Sequence, residues 1–367
     1  MMGNKRKIKK NRIQLVLFGI VSAGVLAVGL WQFTLIMPNL PTPPLKDLAR
    51  QQGVELGVLA NPDRIDDRVY PDLISSQFGF VTIDGGIHFA DVQPEQGKYD
   101  FSKADRVVDF AEKNSMPVQL HHLIWGDDSR LPGWLTEDDF TKQELEDIQR
   151  DHIETIVKRY KGRVQEYTVS NEAFTENQHV YGLTDWWADK TGNNLEHIDK
   201  YFRWAHEADP AAVLILNDFN NETKNSVSDA MYEYIKGAKA RGVPVGGIGM
   251  QMHIDASRPP QKQQVIDNMN RFGDLGLPVY VTEFDIDTNA VDGDTEYKQQ
   301  LESRLMHDMT RACIESETCV SFTVFGVTRK NDFLKMIGRT NSRDYMFDSR
   351  YQPRPSFYAF REAWLEP

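Results

Sequence analysis

Two glutamates, Glu172 and Glu283, each lie within two residues of the end of a short segment that reads as a buried β-strand. If those strands run parallel in one closed sheet, their carboxyl ends meet on one face and the two carboxyl groups face each other there. Two carboxyls about 5 to 5.5 Å apart can cleave a glycosidic bond with retention: one delivers a proton to the leaving oxygen, and the other attacks the anomeric carbon. Taken singly, each could be an ordinary surface glutamate after a strand, so the interpretation depends on its neighbours.

Polar residues also lie at or near the carboxyl ends of the other strand-like segments. Because the carboxyl ends of all the strands in a barrel form one face, polar residues at strand ends throughout the sequence converge on one cleft. This convergence supports a functional cleft more strongly than any single motif does. The residues are Asp84, His121, His122, Asn171, Asn217, Asp218, Gln251, His253 and Asp285.

Short apolar runs alternate with longer amphipathic runs from residue 54 onwards. This alternation is typical of a parallel sheet with helical crossovers, and eight strand-like runs predict an α/β fold, the (β/α)₈ TIM barrel. The predicted helices include Lys103–Asn114, Lys142–Tyr160, Ile198–Ala208, Val227–Arg241, Gln261–Leu275 and Thr295–Ile314. The predicted strands are Val54–Ala60, Phe78–Ile83, Val118–Ile124, Glu166–Ser170, Val213–Asn217, Gly247–Met252, Val279–Thr282 and Ser321–Phe325.

The first 36 residues differ from the rest of the chain. Residues 1–12 contain six basic residues and no acid, and residues 13–36 are 24 residues without a charge. A segment of that length spans a hydrocarbon core of roughly 30 Å, and its basic flank places the N-terminus in the cytoplasm. We therefore predict a basic cytoplasmic tail, then a transmembrane helix or signal anchor, in a single-pass membrane protein with its following domain outside the cell. The alternative is a cleaved signal peptide, whose apolar stretch is normally shorter and which would leave the domain secreted.

Residues 37–50 contain four prolines and predict an extended linker, followed by a single barrel domain over residues 51–367. Beyond residue 36 the chain has 54 acidic and 36 basic residues, a formal net charge of −18. This charge argues against nucleic acid or anionic lipid as a partner and suits a neutral polymer. Cys313 and Cys319 could form a small-loop disulfide in an oxidising compartment, or they could be two thiols on one helix.

Six short motifs occur in a fixed order along the chain. The two that contain the glutamates are Tyr-Thr-Val-Ser-Asn-Glu at 167–172 and Val-Thr-Glu-Phe-Asp at 281–285. They resemble the acid/base motif Trp-Asp-Val-Val-Asn-Glu and the nucleophile motif Thr-Glu-Leu-Asp of glycoside hydrolase family 10, the retaining endo-β-1,4-xylanases. The resemblance covers about Val54 to Ala363, and its other motifs are His-His-Leu-Ile-Trp at 121–125, Asn-Asp-Phe-Asn at 217–220, Gly-Ile-Gly-Met-Gln-Met-His at 247–253 and the segment 347–356.

The resemblance implies a role for each glutamate and for its supporting residues. Glu172 would be the acid/base and Glu283 the nucleophile. His253 would hold the Glu283 carboxylate in line, with Asp285 orienting the imidazole, and Gln251 would bond to Glu172 and help to set its pKa. The alternative for His253 is a core histidine whose nitrogens are satisfied by the backbone.

The resemblance also implies substrate contacts. Asn171 would bond to the sugar 2-hydroxyl, His121 would bind a hydroxyl in the −1 subsite, and Trp125 would form part of the floor of that subsite. Ordinary barrel packing is the alternative for Trp125. Cys313 and Cys319 match a disulfide pair that many members of the family have.

The glycone side departs from the family pattern at four positions that we expect to bind substrate. Asp84 stands where the family has Glu, and His88 stands where it has Lys. Phe325 and Phe333 replace two tryptophans that stack over the sugars. Each lost contact to a hydroxyl is worth about 1 to 3 kcal/mol, so the sequence predicts an enzyme whose glycone subsites are reshaped.

These features together predict a retaining hydrolase that cleaves internal β-1,4 linkages of xylan. A polysaccharide is its expected partner, and we expect a monomer with no metal ion and no cofactor. One alternative keeps the mechanism but acts on a different, self-made cell-envelope or capsular polysaccharide. Another is a catalytically inactive glycan-binding domain, against which the presence of both glutamates counts.

Overall fold

The computed structural model of the chain describes residues 37–83, 85–174, 186–192, 196–328, 343–344 and 346–367. Within these ranges, eight parallel strands form a closed ring, because the first strand pairs with both the second and the last. This closure confirms the predicted (β/α)₈ barrel. The ring consists of β1 Glu55–Ala60, β2 Phe80–Ile83, β3 Val118–Trp125, β4 Glu166–Asn171, β5 Val213–Asp218, β6 Gly247–Met250, β8 Val279–Asp287 and β9 Cys319–Val324, with the short β7 His253–Asp255 and β10 Arg343–Asp344 added along β8.

Helices cover the outside of the barrel and bury apolar residues three and four positions apart. In Ser102–Lys113, for example, Ala104, Val107, Val108 and Ala111 are buried. The described helices are α1 Leu45–Gln51, α2 Tyr70–Gln77, α3 Phe89–Val92, α4 Ser102–Lys113, α5 Gly133–Thr136, α6 Lys142–Tyr160, α7 Trp186–Thr191, α8 Glu196–Ala208, α9 Ser226–Ala240, α10 Lys262–Gly273, α11 Thr295–Glu315 and α12 Pro355–Leu365.

The barrel strands are buried along almost their whole length, as expected when side chains fill the interior on one face and helices cover the other. All residues of β3 from Val118 to Ile124 are buried, and so are the last five of β4. Gly249 on β6 makes room for a neighbouring side chain, because a Cβ there would lie 2.1 Å from Asn217 Oδ1. The amide of Asn217 can therefore lie inside the barrel, close to the ends of the strands.

The predicted helices agree with the structure to within two residues at each end, and so do seven of the eight strands. The seventh strand, β8, continues to Asp287 because β7 and β10 pair with its end. The chain turns between β6 and β7, where Met252 has a φ of 57° in the left-handed region. As a result Gln251 and His253, on either side of Met252, both line the same cleft.

The predicted linker over residues 37–50 is wrong for its last six residues. They belong to α1, in which Leu45, Leu48 and Ala49 are buried. These residues are spaced i, i+3 and i+4, so they bury one face of a helix against the barrel unit, which spans Pro38–Pro367.

The predicted cytoplasmic tail and transmembrane segment, residues 1–36, lie outside the described residues. Among the helices that the structure does describe, none has both the length and the apolar character needed to cross a bilayer.

Cys313 and Cys319 form a disulfide, with their Cα atoms 5.3 Å apart. The alternative of two thiols on one helix is excluded, because α11 ends at Glu315 and Cys319 begins β9. The bond therefore closes the turn that leads into the last barrel strand.

Candidate active site

The carboxyl ends of the barrel strands surround a cleft of about 640 Å³. Its walls include residues from β3, β4, β7 and β8 and from the segments that follow β5 and β9. The sequence predicts nine of its lining residues as site residues, namely His121, Trp125, Asn171, Glu172, Gln251, His253, Glu283, Asp285 and Phe325.

Glu172 lies directly after β4 with a φ of 56°, an uncommon conformation for a residue with a side chain. Its backbone N–H donates to Asn217 O at 3.0 Å. Its Oε1 accepts from Gln251 Nε2 and its Oε2 accepts from Trp125 Nε1, both at 2.9 Å. Burial raises the pKa of Glu172, and the nearby Glu283 carboxylate raises this pKa further.

Glu283 is 6% exposed and accepts hydrogen bonds on both oxygens. Asn217 Nδ2 lies 2.9 Å and His121 Nε2 3.1 Å from Oε1, and His253 Nε2 lies 3.3 Å from Oε2. Burial alone would raise the pKa of Glu283, but the contacts with His121 and His253 outweigh it and hold this pKa well below its usual range. Asp285 Oδ1 contacts the other ring nitrogen of His253 at 3.0 Å, so the imidazole is held from both sides.

The two carboxyl groups therefore share a cleft, and their pKa values are shifted in opposite directions. Glu172 is favoured in its protonated form and Glu283 in its ionised form. This is the division of labour that a proton donor and a nucleophile require.

A buried amide network lies between the two carboxyls. Asn217 Nδ2 donates to Asn171 Oδ1 at 2.7 Å as well as to Glu283, and Thr282 Oγ1 donates to Asn217 Oδ1 at 2.7 Å. Asn217 therefore fixes the positions of both a predicted substrate contact and the predicted nucleophile. The sequence places Asn217 at a strand end and inside a family motif, but sequence alone predicts no role for its side chain.

His121, Trp125 and Phe325, the predicted substrate contacts, all line the cleft. His121 Nδ1 contacts Thr168 Oγ1 at 3.0 Å while its Nε2 faces Glu283. The Trp125 indole bonds directly to Glu172, which is a closer link to the chemistry than the sequence predicts. Phe325 packs edge-on against the His253 ring, with the ring centroids 5.1 Å apart.

His88 is 4% exposed and is not among the described residues that line the cleft. Its ring packs against His122 and Trp125, at centroid distances of 5.2 Å and 6.0 Å. It therefore contacts the cleft wall from behind, whereas a substrate contact was predicted. Asp84 and Phe333, the other two altered positions, lie outside the described residues.

Three further residues near the cleft were not predicted as site residues. Glu222 lines the cleft and is 8% exposed, and burial raises its pKa. Asp218 is fully buried and accepts hydrogen bonds from the N–H groups of Phe174 and Phe219, so it holds the turn after Glu172. His122 lines the cleft as well. Asp218 and His122 each lie at or near the end of a strand-like run, and this position is the feature of the sequence that could have indicated a place in the site.

Comparison with known proteins agrees with this geometry. The family model described as "Glycosyl hydrolase family 10" matches residues 44–363. Endo-1,4-beta-xylanase B of Thermotoga neapolitana is 33% identical over 326 residues, which cover 88% of this chain and 92% of that protein. A beta-1,4-xylanase of Dictyoglomus thermophilum is 33% identical over 299 residues, covering 79% of this chain and 83% of its own.

Solved structures show the same barrel. Xylanase 10B from Thermotoga petrophila RKU-1, in complex with xylobiose, superimposes with a TM-score of 0.80 at 32% identity, covering 89% of this chain and 99% of that one. Native xylanase 10B from Thermotoga maritima gives a TM-score of 0.80 at 34% identity, with coverage of 88% and 98%. The chain therefore belongs to glycosyl hydrolase family 10.

Proposed function

We propose that this chain is a retaining endo-β-1,4-xylanase that works by double displacement, with Glu172 as acid/base and Glu283 as nucleophile. The observation that carries the proposal is that both glutamates line one cleft in different surroundings. Neutral donors from Gln251 and Trp125 hold Glu172, whereas two histidines contact Glu283, and the two pKa values shift in opposite directions. Xylan is the proposed substrate because the relatives described above are xylanases and one of them was solved with xylobiose.

In the first step, Glu283 attacks the anomeric carbon while Glu172 gives its proton to the glycosidic oxygen. The bond between sugar and leaving group breaks, and a covalent glycosyl-enzyme forms on Glu283. In the second step, Glu172, now ionised, takes a proton from a water molecule that attacks the same carbon and releases Glu283. Two inversions at one carbon give overall retention.

The supporting contacts fit this sequence of steps. His121, His253 and Asn217 favour the ionised form of Glu283 before attack. Gln251 and Trp125 each hold one oxygen of Glu172. Asn171 lines the cleft and uses its Oδ1 to accept from Asn217. We propose that its amide N–H groups bond to a sugar hydroxyl, a contact that strengthens in the transition state.

The proposal is tested with wild type and Glu283→Ala on aryl β-xylobioside, aryl β-cellobioside and aryl β-glucoside. We expect turnover of the xylobioside by wild type only. Preference for a glucose-based substrate would point to the same mechanism on another glycan. No turnover of any substrate by either protein would favour the inactive, glycan-binding alternative.

We also propose that the barrel works outside the cytoplasmic membrane as a monomer, anchored by residues 13–36 or released if that segment is cleaved. The basic flank of this segment and the Cys313–Cys319 disulfide support export, because disulfides persist in oxidising compartments. Fractionation of cells that express the full chain, with protease added to intact cells and N-terminal sequencing of the product, tests this. A protease-resistant protein in the cytoplasmic fraction would contradict it.

A further inference from the structure

His122 is enclosed by three rings in the wall of the cleft. The centroids of His121 and Trp125 lie 4.9 Å from that of His122 in edge-on contacts, and the centroid of His88 lies 5.2 Å away. Asp91 Oδ2 lies 3.5 Å from His88 Nδ1 and steadies that ring in turn. His122 is 3% exposed, yet it lines the cleft. Its ring is therefore held in one place beside the reaction centre.

Among the residues that the structure describes, neither ring nitrogen of His122 has a hydrogen-bond partner. The two other histidines of the cleft differ, because His121 and His253 each have partners on both nitrogens. Burial lowers the pKa of His122 well below its usual value, so the ring is neutral and offers one N–H donor and one acceptor. Because this ring lines the cleft, a ligand held there can supply the hydrogen-bond partners that the described residues do not.

We propose that His122 binds a hydroxyl group of the sugar held on the glycone side of the cleft and so helps to determine which sugar fits there. The inference rests on the proposed glycosidase function. Two residues that depart from the family pattern are in contact here: His122 stands where the family motif has Thr, and His88 stands where the family has Lys. A neutral imidazole suits the hydroxyls of an uncharged sugar, and it gives no charge to pair with a carboxylate.

The variant His122→Phe keeps an aromatic ring among the three neighbours and removes both nitrogens. We expect it to lower kcat/KM on 4-nitrophenyl β-xylobioside by roughly 10- to 100-fold, the effect of losing one or two hydrogen bonds. The melting temperature should be unchanged or higher, because the variant loses no hydrogen bond to any described residue and its ring is more apolar. His122→Thr, which restores the family residue, provides a second variant should the Phe ring fit poorly.

His152→Phe is the matched control. His152 is also a fully buried imidazole, stacked on Phe89 with the ring centroids 3.8 Å apart, but it does not line the cleft. Its replacement should leave kcat/KM within about 2-fold of wild type.

The decisive experiment uses 4-nitrophenyl β-xylobiosides that each lack one hydroxyl of the glycone sugars, together with calorimetric binding of the corresponding methyl xylobiosides. The proposal expects the penalty of His122→Phe to vanish for the analogue that lacks the bonded hydroxyl and to persist for the others. An equal penalty on every analogue, or a penalty that follows a lowered melting temperature in both variants, would overturn it. If wild type binds the sugars and hydrolyses none, the proposed function fails, and the binding data still decide the role of His122.

Discussion

Strand β4 begins with one glutamate, Glu166, and is followed directly by another, Glu172, and these two residues differ in their surroundings. Glu166, at the amino end, is partly buried and accepts a hydrogen bond from Gln119 Nε2 at 3.0 Å. Gln119 in turn accepts from Thr82 Oγ1 at 3.1 Å, inside the barrel. Glu172, at the carboxyl end, lines an open cleft and accepts from both Gln251 and Trp125.

Burial raises the pKa of both carboxyls, and that of Glu166 reaches about 7. A raised pKa therefore does not distinguish a proton donor from a structural carboxyl. The difference lies in the surroundings: Glu172 shares its cleft with Glu283, whose pKa is lowered, whereas Glu166 does not line the cleft. Two carboxyls with opposite shifts, beside space for a ligand, favour the carboxyl end as the catalytic one.

The largest expected effect comes from removing the nucleophile. Glu283→Ala should lower kcat on aryl β-xylobioside by about 10⁴-fold or more, because no covalent intermediate can form. Glu166→Gln, at the other end of the barrel, should keep kcat within about 2-fold of wild type. Steady-state rates of both variants test the comparison, and a large loss of kcat in Glu166→Gln would break it.

Removal of the proton donor should have the next largest effect. We expect Glu172→Gln to lower kcat on unactivated xylo-oligosaccharides by about 10²- to 10⁴-fold. The loss should be smaller on aryl glycosides whose leaving group needs little protonation. The alkaline limb of the pH profile, where wild type loses the Glu172 proton, should also disappear in the variant. An equal loss on both substrate classes would contradict the assignment of Glu172.

His253→Asn should move the acidic limb of the pH profile. The contact with His253 helps to lower the pKa of Glu283, so its removal should raise this pKa and shift the limb to higher pH. We also expect kcat/KM to fall by roughly 10- to 100-fold, the range for losing a bond to a charged group. Rate measurements across pH in wild type and variant check this. A limb that stays in place would show that His253 does not tune Glu283.

The smallest predicted effect concerns stability at the amino end. Folded Glu166 holds its proton up to about pH 7, while in the unfolded chain it ionises near its ordinary pKa. Its contribution to folding is therefore lost as pH rises through this window. Glu166→Gln should raise the free energy of unfolding at pH 8 by about 1 to 2 kcal/mol, allowing for solvent screening, and should have little effect at pH 4. Urea unfolding at the two pH values tests this, and equal effects at both would refute it.

The barrel could be predicted because its strands and helices differ in length and periodicity, and α6 begins and ends at the predicted residues. The sequence could place Glu172 and Glu283 in one cleft because strand ends converge in a parallel barrel. The α1 helix was missed because the prolines before Leu45 dominated the local pattern. The spacing of its three buried apolar residues, i, i+3 and i+4, is nevertheless typical of a helix that buries one face.

The contacts within the site were harder to predict, because they depend on side-chain directions that spacing does not determine. Trp125 was expected in the floor of a subsite, yet its indole bonds to Glu172. His88 and His122 are 34 positions apart in sequence, and their ring contact follows from the pairing of β2 with β3. The role of Asn217 likewise depends on the room left by Gly249 on the next strand.

The stereochemistry of the first product tests the central claim most directly. Hydrolysis of an aryl β-xylobioside, followed by ¹H NMR from the first minutes, shows which anomer is released before mutarotation. Two displacements at one carbon, with Glu283 as nucleophile, predict that the β-anomer appears first and the α-anomer follows slowly. Release of the α-anomer first would mean a single displacement by water, and Glu172 and Glu283 could not have the roles given to them here.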